Sequence, residues 1–422
     1  MRLEPSRPAT APRLDARPIA AAGPSRRSFL AAALAPAVLP PAFGSAAAAP
    51  LPAGGLFGGP ERLRIGLVGC GGRGTGAALL AAAADPAVRV VALGDVFADQ
   101  VASSADVLAS GLGDHFACPP TSRFVGADAY RQVIDAGVDL VILAAPPHVR
   151  PLHLEAAVAA GKHVYCEKPA AVDVAGAVRA AAASARARAA GLSLASGLCF
   201  RHDPRTAAVV GRVHDGAIGR TMAVQVHAAV GLPWRKPVDA AGRGADWRLR
   251  NWISFAGFSG GHLVEHHVEA IDRGLWLLGD VPPAVAEGRL DLRFPCRGAI
   301  GDCPARTTVR YRFADGRSLE ASVERGEQAR WGIEEMAIGT RGSCDLVLGT
   351  IGGRPLPLPA AGPGRYAAVM ARLVAGVLAG RPVHDGESLC RSTLVAVMGR
   401  LAAESGRAVT WAEVAGAAAA SA

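Results

Sequence analysis

The stretch Leu63-Arg64-Ile65-Gly66-Leu67-Val68-Gly69-Cys70-Gly71-Gly72-Arg73-Gly74 decides the fold of this 422-residue chain. Residues 64–68 are predicted to form a buried strand, and residues 75–84 a helix that ends at Asp85-Pro86. The glycines between them have the spacing G-x-G-x-x-G. A strand, a glycine turn and a helix in this order predict a dinucleotide site, because the turn and the helix N-terminus bring backbone N–H groups to a pyrophosphate. We expect cofactor contacts from Gly69, Gly71, Gly72, Arg73 and Gly74.

An acidic residue follows the next predicted strand, residues 88–93. Asp95 stands about 20 positions after Gly74, the spacing at which a carboxylate accepts hydrogen bonds from ribose hydroxyl groups. The same negative charge would repel a 2′-phosphate. We therefore predict NAD as the cofactor and consider NADP less favoured.

Strands and helices keep alternating up to residue 196 and then give way to longer strands. The first pattern predicts a doubly wound parallel sheet of the Rossmann type, and the second an α+β domain with an open, mostly antiparallel sheet. The chain as a whole is predicted to be α/β. We predict a linker over residues 50–61, a dinucleotide-binding domain over 62–196, and a domain for substrate binding and oligomerisation over 197–422.

The N-terminal residues have the composition of an export signal. Ser25-Arg26-Arg27-Ser28-Phe29-Leu30 places paired arginines before a short apolar stretch and a run of small residues. This order predicts a twin-arginine (Tat) signal over residues 1–49, the Tat translocase as a partner, and a periplasmic location. The apolar stretch is too short to span a membrane. Residues 1–49 carry +4 of the net charge of +9, and the remaining +5 is spread along the chain without a Lys/Arg run, which gives nucleic-acid binding little support.

A second motif, Val164-Tyr165-Cys166-Glu167-Lys168-Pro169, ends a later strand of the same predicted sheet. Ligands of open α/β sheets bind at the carboxyl ends of the strands. Lys168 can therefore reach both a nicotinamide and a substrate hydroxyl group. A surface lysine at a strand end is the alternative interpretation.

These motifs resemble the glucose–fructose oxidoreductase/inositol dehydrogenase (Gfo/Idh/MocA) family, and the similarity runs from Leu63 to Val414. It also includes Pro146-Pro147-His148, residues 160–169, 215–219, 250–252 and 259–267, and it points to a Tat-exported subgroup. The resemblance implies an NAD(P)-dependent oxidoreductase of sugars or polyols that forms homo-oligomers. It implies cofactor contacts from Pro146, His148, Glu167, Lys168 and Pro169. It also implies that Lys168 lies between nicotinamide and substrate, with a pKa that falls in a dry site or beside other cations.

One motif departs from the family pattern, in which an acid and, four residues later, a histidine lie on one helix. Here those positions are Glu265 and Glu269, and helical spacing places Asp272 on the same stripe. Two interpretations stay open: Glu269 is the base, or the chemistry has weakened or changed. We expect His267 to be a packed, hydrogen-bonded histidine, with a proton relay as its second possible role.

Five further residues are candidates for substrate contact, and two other motifs have alternative interpretations. Arg201, His202, Arg250, Asn251 and Trp252 are predicted to face the substrate, or else to pack between domains. His262-Leu263-Val264-Glu265-His266 matches a zinc-protease signature, but the surrounding motifs favour no metal. Cys296 and Cys303 are a possible disulfide.

Three functions are therefore compared. The favoured one is hydride transfer between a nicotinamide and a sugar, polyol or sugar-derivative carbinol. The second is an NAD-dependent glycosidase or epimerase-like enzyme that oxidises its substrate transiently. The third is a catalytically degenerate protein that binds NAD and a sugar.

Overall fold

The computed structural model describes residues 63–238, 244–291, 300–326, 329, 332–360 and 362–419. The predicted signal and linker lie outside these residues, as does Cys296, so the Cys296–Cys303 disulfide stays a prediction.

A six-stranded parallel sheet forms the first half, as predicted. Its spatial order is β3-β2-β1-β4-β5-β6, the order of a Rossmann fold. Every adjacent pair in this sheet is parallel. The strands are β1 (Leu63–Val68), β2 (Val88–Asp95), β3 (Arg123–Val125), β4 (Leu140–Leu143), β5 (His163–Cys166) and β6 (Leu194–Ser196).

Five helices connect these strands. Buried apolar side chains of these helices pack against both faces of the sheet. The central strands are therefore apolar on both sides. Asp173 caps the N-terminus of the last of these helices, because its Oδ1 accepts from Gly176 N at 2.7 Å. The helices are α1 (Gly72–Ala84), α2 (Ala98–Leu112), α3 (Ala129–Asp135), α4 (Arg150–Ala159) and α5 (Val174–Ala189), with 3-10 turns at Gly113–His115 and Pro120–Ser122.

A nine-stranded sheet forms the second half and is mostly antiparallel, as predicted. Its order is β14-β13-β12-β11-β7-β10-β9-β8-β15, and β7 and β10 are its parallel pair. Gly316, at φ 84°, lies in the hairpin turn between β9 and β10. The strands are β7 (Thr221–Val230), β8 (Val285–Asp291), β9 (Arg306–Arg312), β10 (Ser318–Arg325), β11 (Gly332–Gly339), β12 (Ser343–Asp345), β13 (Thr350–Ile351), β14 (Arg354–Pro355) and β15 (Val409–Thr410).

Helices cover one face of this sheet, and one late helix returns to the first sheet. Val369, Leu373 and Val377 on α11 are buried in the same cluster as Leu63 and Leu67. This packing brings the start of α11 to the carboxyl edge of the Rossmann sheet. The helices are α6 (Pro204–His214), α7 (Ala245–Arg250), α8 (Ala256–Ser259), α9 (Gly261–Glu265), α10 (Val268–Leu277), α11 (Arg365–Leu378), α12 (Gly386–Ser405) and α13 (Trp411–Ala419), with 3-10 turns at Cys199–His202 and Trp252–Ser254. Within the described ranges, no helix combines the length and apolar character needed to cross a bilayer.

Candidate active site

The glycine turn follows β1 and can be made only by glycine at two of its positions. Gly69 has φ 95°, and its N–H donates to Gly94 O at 2.8 Å. A Cβ atom on Gly69 would overlap the backbone of Ala145, and one on Gly74 would overlap the carbonyl oxygen of Gly69. The turn is therefore fixed by contacts between backbone atoms.

The other two glycines leave open space where a cofactor could lie. A Cβ atom on Gly71 or Gly72 would meet no atom within 4 Å. Helix α1 begins at Gly72, and no side chain caps its N-terminus. The free N–H groups of a first helical turn are a good site for a phosphate. This edge of the sheet therefore fits the pyrophosphate of a dinucleotide.

Asp95 lies directly beside this turn. Its Oδ2 accepts from Cys70 N at 2.7 Å, and its Oδ1 accepts from Phe97 N at 3.0 Å. Each carboxylate oxygen has a second lone pair for a ribose hydroxyl group. Burial raises the pKa of Asp95, although these backbone N–H groups act in the opposite direction. The position fits the predicted ribose contact.

Lys168 leaves β5 at the carboxyl edge of the sheet and meets two carboxylates from the second half of the chain. Its Nζ donates to the backbone oxygen of Glu265 at 2.8 Å, and it lies 3.5 Å from Glu265 Oε1 and 3.7 Å from Glu269 Oε2. The three side chains are 12–19% exposed. Glu269 Oε1 is buried and has no hydrogen-bond partner among the described residues. A buried carboxylate oxygen needs a donor, and a ligand hydroxyl group can supply it.

The charges around Lys168 show that the expected fall in its pKa is wrong. Burial alone lowers the pKa of Lys168, but Glu265, Glu269 and Glu167 together outweigh it and raise the pKa above its usual value. The pKa does not fall, because three anions surround the ammonium group. Burial raises the pKa of Glu265, yet Lys168 outweighs it, and the net pKa is lowered. Lys168 therefore stays protonated and Glu265 stays ionised.

Glu167 lies behind Lys168 and is held from several sides. Its Oε1 accepts from Tyr165 Oη at 2.8 Å and lies 3.8 Å from Arg73 Nε. Burial raises the pKa of Glu167, and the cations Arg73, Lys168 and Arg150 oppose that effect. A Cβ atom on Gly197 would overlap the Glu167 carboxylate, so a glycine must follow β6 here. Glu167 thus joins the glycine turn to the Lys168 segment.

The predicted acidic helix is broken in two. His267 N donates to His262 O at 3.0 Å, a five-residue step that interrupts the helix between α9 and α10. The break keeps Glu265 and Glu269 beside Lys168. Asp272, predicted on the same stripe, instead pairs with Arg201.

The break also separates the histidines. His267 is 1% exposed, its Nε2 bonds to Val226 O at 3.1 Å, and burial lowers its pKa to about 3. It is the packed histidine that we expected, and its position does not suit a proton relay. His266 lies closer to the charges of Lys168 and Glu269, and burial lowers its pKa to about 4. In the described parts of the chain, no cluster of His, Cys, Asp and Glu side chains could hold a metal ion.

Two predicted substrate residues contact carboxylates within the protein instead. Arg201 Nε lies 2.8 Å from Asp272 Oδ2, and Arg201 Nη2 lies 2.6 Å from Asp280 Oδ1. His202 Nε2 lies 3.1 Å from Asp385 Oδ2. The donors of Arg201 are engaged by these carboxylates, so its observed role is to link α10 to the 3-10 turn after β6.

The remaining predicted substrate residues also have partners in the chain. Arg250 forms a two-point ion pair with Asp99. Asn251 is fully buried, and its Oδ1 accepts from Lys236 N at 2.7 Å while its Nδ2 donates to Trp247 O at 2.9 Å. Trp252 packs edge-on against Trp234, with ring centroids 6.4 Å apart. Of these three, Trp252 keeps an aromatic face for a ligand.

Sequence reasoning missed Arg150 and Tyr366. Arg150 is 3% exposed; its Nη2 donates to Ala145 O at 2.6 Å and its Nη1 to Pro169 O. It ties together the loops after β4 and β5, and the nearby Pro146 and His148 belong to the first of these loops. Tyr366 starts α11, and Arg73 stacks on its ring at 4.0 Å. An arginine just after the Pro-Pro-His motif was the available signal; nothing in the sequence linked Tyr366 to the site.

Comparison with protein families finds one match, in the first half of the chain. Residues 63–194 match the sequence model of the Gfo/Idh/MocA family, described as an oxidoreductase family with an NAD-binding Rossmann fold. The match covers the Rossmann sheet from β1 to the first residue of β6. No curated protein sequence matches this chain.

Solved structures share the fold of this chain at low identity. An aldose-aldose oxidoreductase from Caulobacter crescentus complexed with glycerol has 21% identity and a TM-score of 0.63, covering 83% of this chain and 100% of its own. An apo scyllo-inositol dehydrogenase from Lactobacillus casei has 20% identity and a TM-score of 0.62, covering 84% and 99%. A levoglucosan dehydrogenase in complex with NADH and levoglucosan has 20% identity and a TM-score of 0.62, covering 83% and 99%.

Proposed function

We propose that this chain is an oxidoreductase of the Gfo/Idh/MocA family that transfers hydride between NAD and a carbinol carbon of a sugar, polyol or sugar derivative. The observation that carries the proposal is Glu269 Oε1, a buried oxygen without a donor, on a carboxylate 3.7 Å from the Lys168 ammonium group. A hydroxyl group placed between them could donate to Glu269 and accept from Lys168. Solved proteins of the same fold include enzymes named for aldoses, inositols and levoglucosan, which supports this substrate class.

The chain contributes position and charge to the reaction. Bound NAD supplies the hydride acceptor or donor. Residues of the glycine turn and Asp95 would hold its pyrophosphate and ribose. Lys168, which remains protonated, stabilises negative charge on the reacting oxygen. Glu269 takes up the hydroxyl proton through its unpartnered oxygen.

Product analysis on the purified chain tests the proposal. The protein is loaded with NAD and given a panel of cyclic polyols and aldoses, with and without a glycosidic bond. The proposal expects NADH to form in proportion to an oxidised sugar. Cleavage or epimerisation without net NADH would favour transient oxidation instead, and bound NAD that no substrate reduces would favour a degenerate binding protein.

We also propose that residues 1–49 direct export of the folded, NAD-loaded enzyme through the Tat route to the periplasm. The paired arginines before a short apolar stretch support this proposal. Replacing Arg26 and Arg27 with lysine should retain the protein in the cytoplasmic fraction of a Tat-competent host. An unchanged periplasmic fraction would contradict it. A homo-oligomer built through the second sheet is proposed on the family resemblance, and light scattering would test it.

A further inference from the structure

Tyr366 brings a side chain of the second half of the chain to the carboxyl edge of the Rossmann sheet. It is the second residue of α11, and the guanidinium carbon of Arg73 lies 4.0 Å from the centroid of its ring. Arg73 Nε lies 3.8 Å from Glu167 Oε1, and Glu167 directly precedes Lys168. The stack with Arg73 therefore holds the tyrosine ring beside the residues that connect the glycine turn to Lys168.

The charges that act on the Tyr366 phenol belong to the residues around Lys168. Burial raises the pKa of Tyr366 to about 12, the negative charges of Glu269 and Glu167 add to this effect, and Arg73 opposes it. Tyr366 is in turn one of the groups that raise the pKa of Lys168. Because the interaction between charges weakens with distance, these mutual effects place the phenol close to Lys168 and Glu269. Those are the two groups that face the reacting hydroxyl group in the proposed function.

The phenol of Tyr366 can donate a hydrogen bond to a ligand. With so high a pKa it keeps its proton at neutral pH, so it is a donor and not a base. Its Oη makes no hydrogen bond to any residue that the structure describes, and the side chain is only partly buried. The stack with Arg73 orients the ring before a ligand arrives, which reduces the entropy that binding would cost.

We propose that Tyr366 is a specificity residue that donates a hydrogen bond to a second oxygen of the substrate while the reacting hydroxyl group lies between Lys168 and Glu269. The inference rests on the proposed function and narrows its substrate to a compound with at least two hydroxyl groups. An alcohol with a single hydroxyl group fills only the first position. Contact at two oxygens also selects which carbon faces the nicotinamide.

Steady-state kinetics on the NAD-loaded full chain test this inference. The probes are glucose, myo-inositol and levoglucosan, each with its monodeoxy analogues. Tyr366→Phe removes only the hydroxyl group and keeps a ring for Arg73 to stack on. For the parent compound that reduces NAD fastest, kcat/KM should fall about tenfold, the equivalent of one hydrogen bond between neutral groups.

The analogues show whether this loss comes from a contact with the substrate. One monodeoxy analogue lacks the oxygen that Tyr366 contacts, so its kcat/KM should be the same in wild type and Tyr366→Phe. The other reactive analogues should keep the tenfold difference between the two proteins, since they retain that oxygen. NAD affinity should be unchanged, because the phenol serves the substrate.

Tyr130→Phe is the matched control, because Tyr130 is buried in the first half of the chain and its ring stacks on His153. It should leave kcat/KM unchanged for every probe. An equal loss for the parent and all reactive analogues in Tyr366→Phe would overturn the proposal, and so would unchanged kinetics. Weaker NAD binding with unaltered discrimination between analogues would assign the phenol to the cofactor and overturn it too. No NADH from any probe with the wild-type chain would contradict the proposed function itself and this inference with it, an outcome distinct from the others.

Discussion

The glycine turn at residues 69–74 and the broken helix at residues 261–277 form two sides of one site by different physical means. The turn is held by backbone contacts that leave no room for a Cβ atom on Gly69 or Gly74. The broken helix places buried charges, Glu265 and Glu269, around Lys168. The first side depends on shape and the second on electrostatics.

This difference predicts different responses to substitution. A small increase in volume should damage the cofactor side, because a close-packed backbone cannot move away. A change of charge at constant volume should damage the chemical side, because buried ions depend on their partners. Substitutions that separate volume from charge therefore test the comparison.

The largest effect is expected from Gly74→Ala. The added methyl group would overlap Gly69 O, so we expect loss of NAD binding and a fall in unfolding free energy of about 3 kcal/mol. Gly76→Ala is the matched control on the same helix, because a Cβ atom there meets nothing within 4 Å. That variant should keep NAD binding and gain about 0.5–1 kcal/mol. Thermal unfolding measures the stability of each variant, and titration measures its NAD affinity. Wild-type NAD affinity in Gly74→Ala would show that the turn tolerates a Cβ atom at this position.

The next effect is expected from Glu269→Gln, which conserves volume and removes the proposed proton acceptor. The turnover rate should fall about 100-fold while NAD affinity stays unchanged. Glu265→Gln should have a smaller effect on turnover, because Lys168 Nζ still donates to the backbone oxygen of residue 265. Glu269→His should recover part of the rate. Steady-state kinetics on the identified substrate give the turnover rate of each variant. An equal loss of turnover in Glu269→Gln and Glu265→Gln would show that Glu269 is not the proton acceptor.

A third effect concerns how the free energy of unfolding depends on pH. Burial lowers the pKa of His262 and of His267 from 6.5 to about 3, so both are neutral in the folded chain. Below pH 6.5 the unfolded chain takes up protons that the folded chain does not, and stability falls as pH falls. Each histidine should lower the free energy of unfolding by about 1.4 kcal/mol for each unit that the pH falls between roughly pH 6 and pH 4.

Urea unfolding between these pH values measures that slope. His267→Gln keeps a donor for Val226 O and removes one titrating group. Its stability should fall less steeply with decreasing pH than that of the wild type. Equal slopes would show that the folded His267 titrates like an exposed histidine.

The parts of the fold that depend on local sequence could be predicted. The strand that the second motif was predicted to end is β5 (His163–Cys166), and the glycine turn lies where its spacing indicates. Local patterns suffice there, because a buried strand and a turn between backbone atoms need few distant partners. The short strands β12, β13 and β14 were missed, since two or three residues give little periodicity.

The site residues that depend on distant partners could not be predicted. Arg201, His202 and Arg250 each have a carboxylate partner 71 or more positions away in the sequence. A single sequence carries no sign of such pairs. The break at His267 was missed for a related reason, because uniform helical spacing does not reveal a five-residue step.

Lys168→Met removes the charge between the two sides of the site and keeps much of the side-chain length, so it separates the role of charge from that of shape. Lys162→Met, before β5 at the opposite end of the strand, is the control. NAD affinity and single-turnover NADH formation are measured in both variants. We expect NAD affinity to stay within about threefold in both, while NADH formation falls about 1,000-fold in Lys168→Met alone. NADH formation at the wild-type rate in Lys168→Met would show that hydride transfer does not need the charge of Lys168.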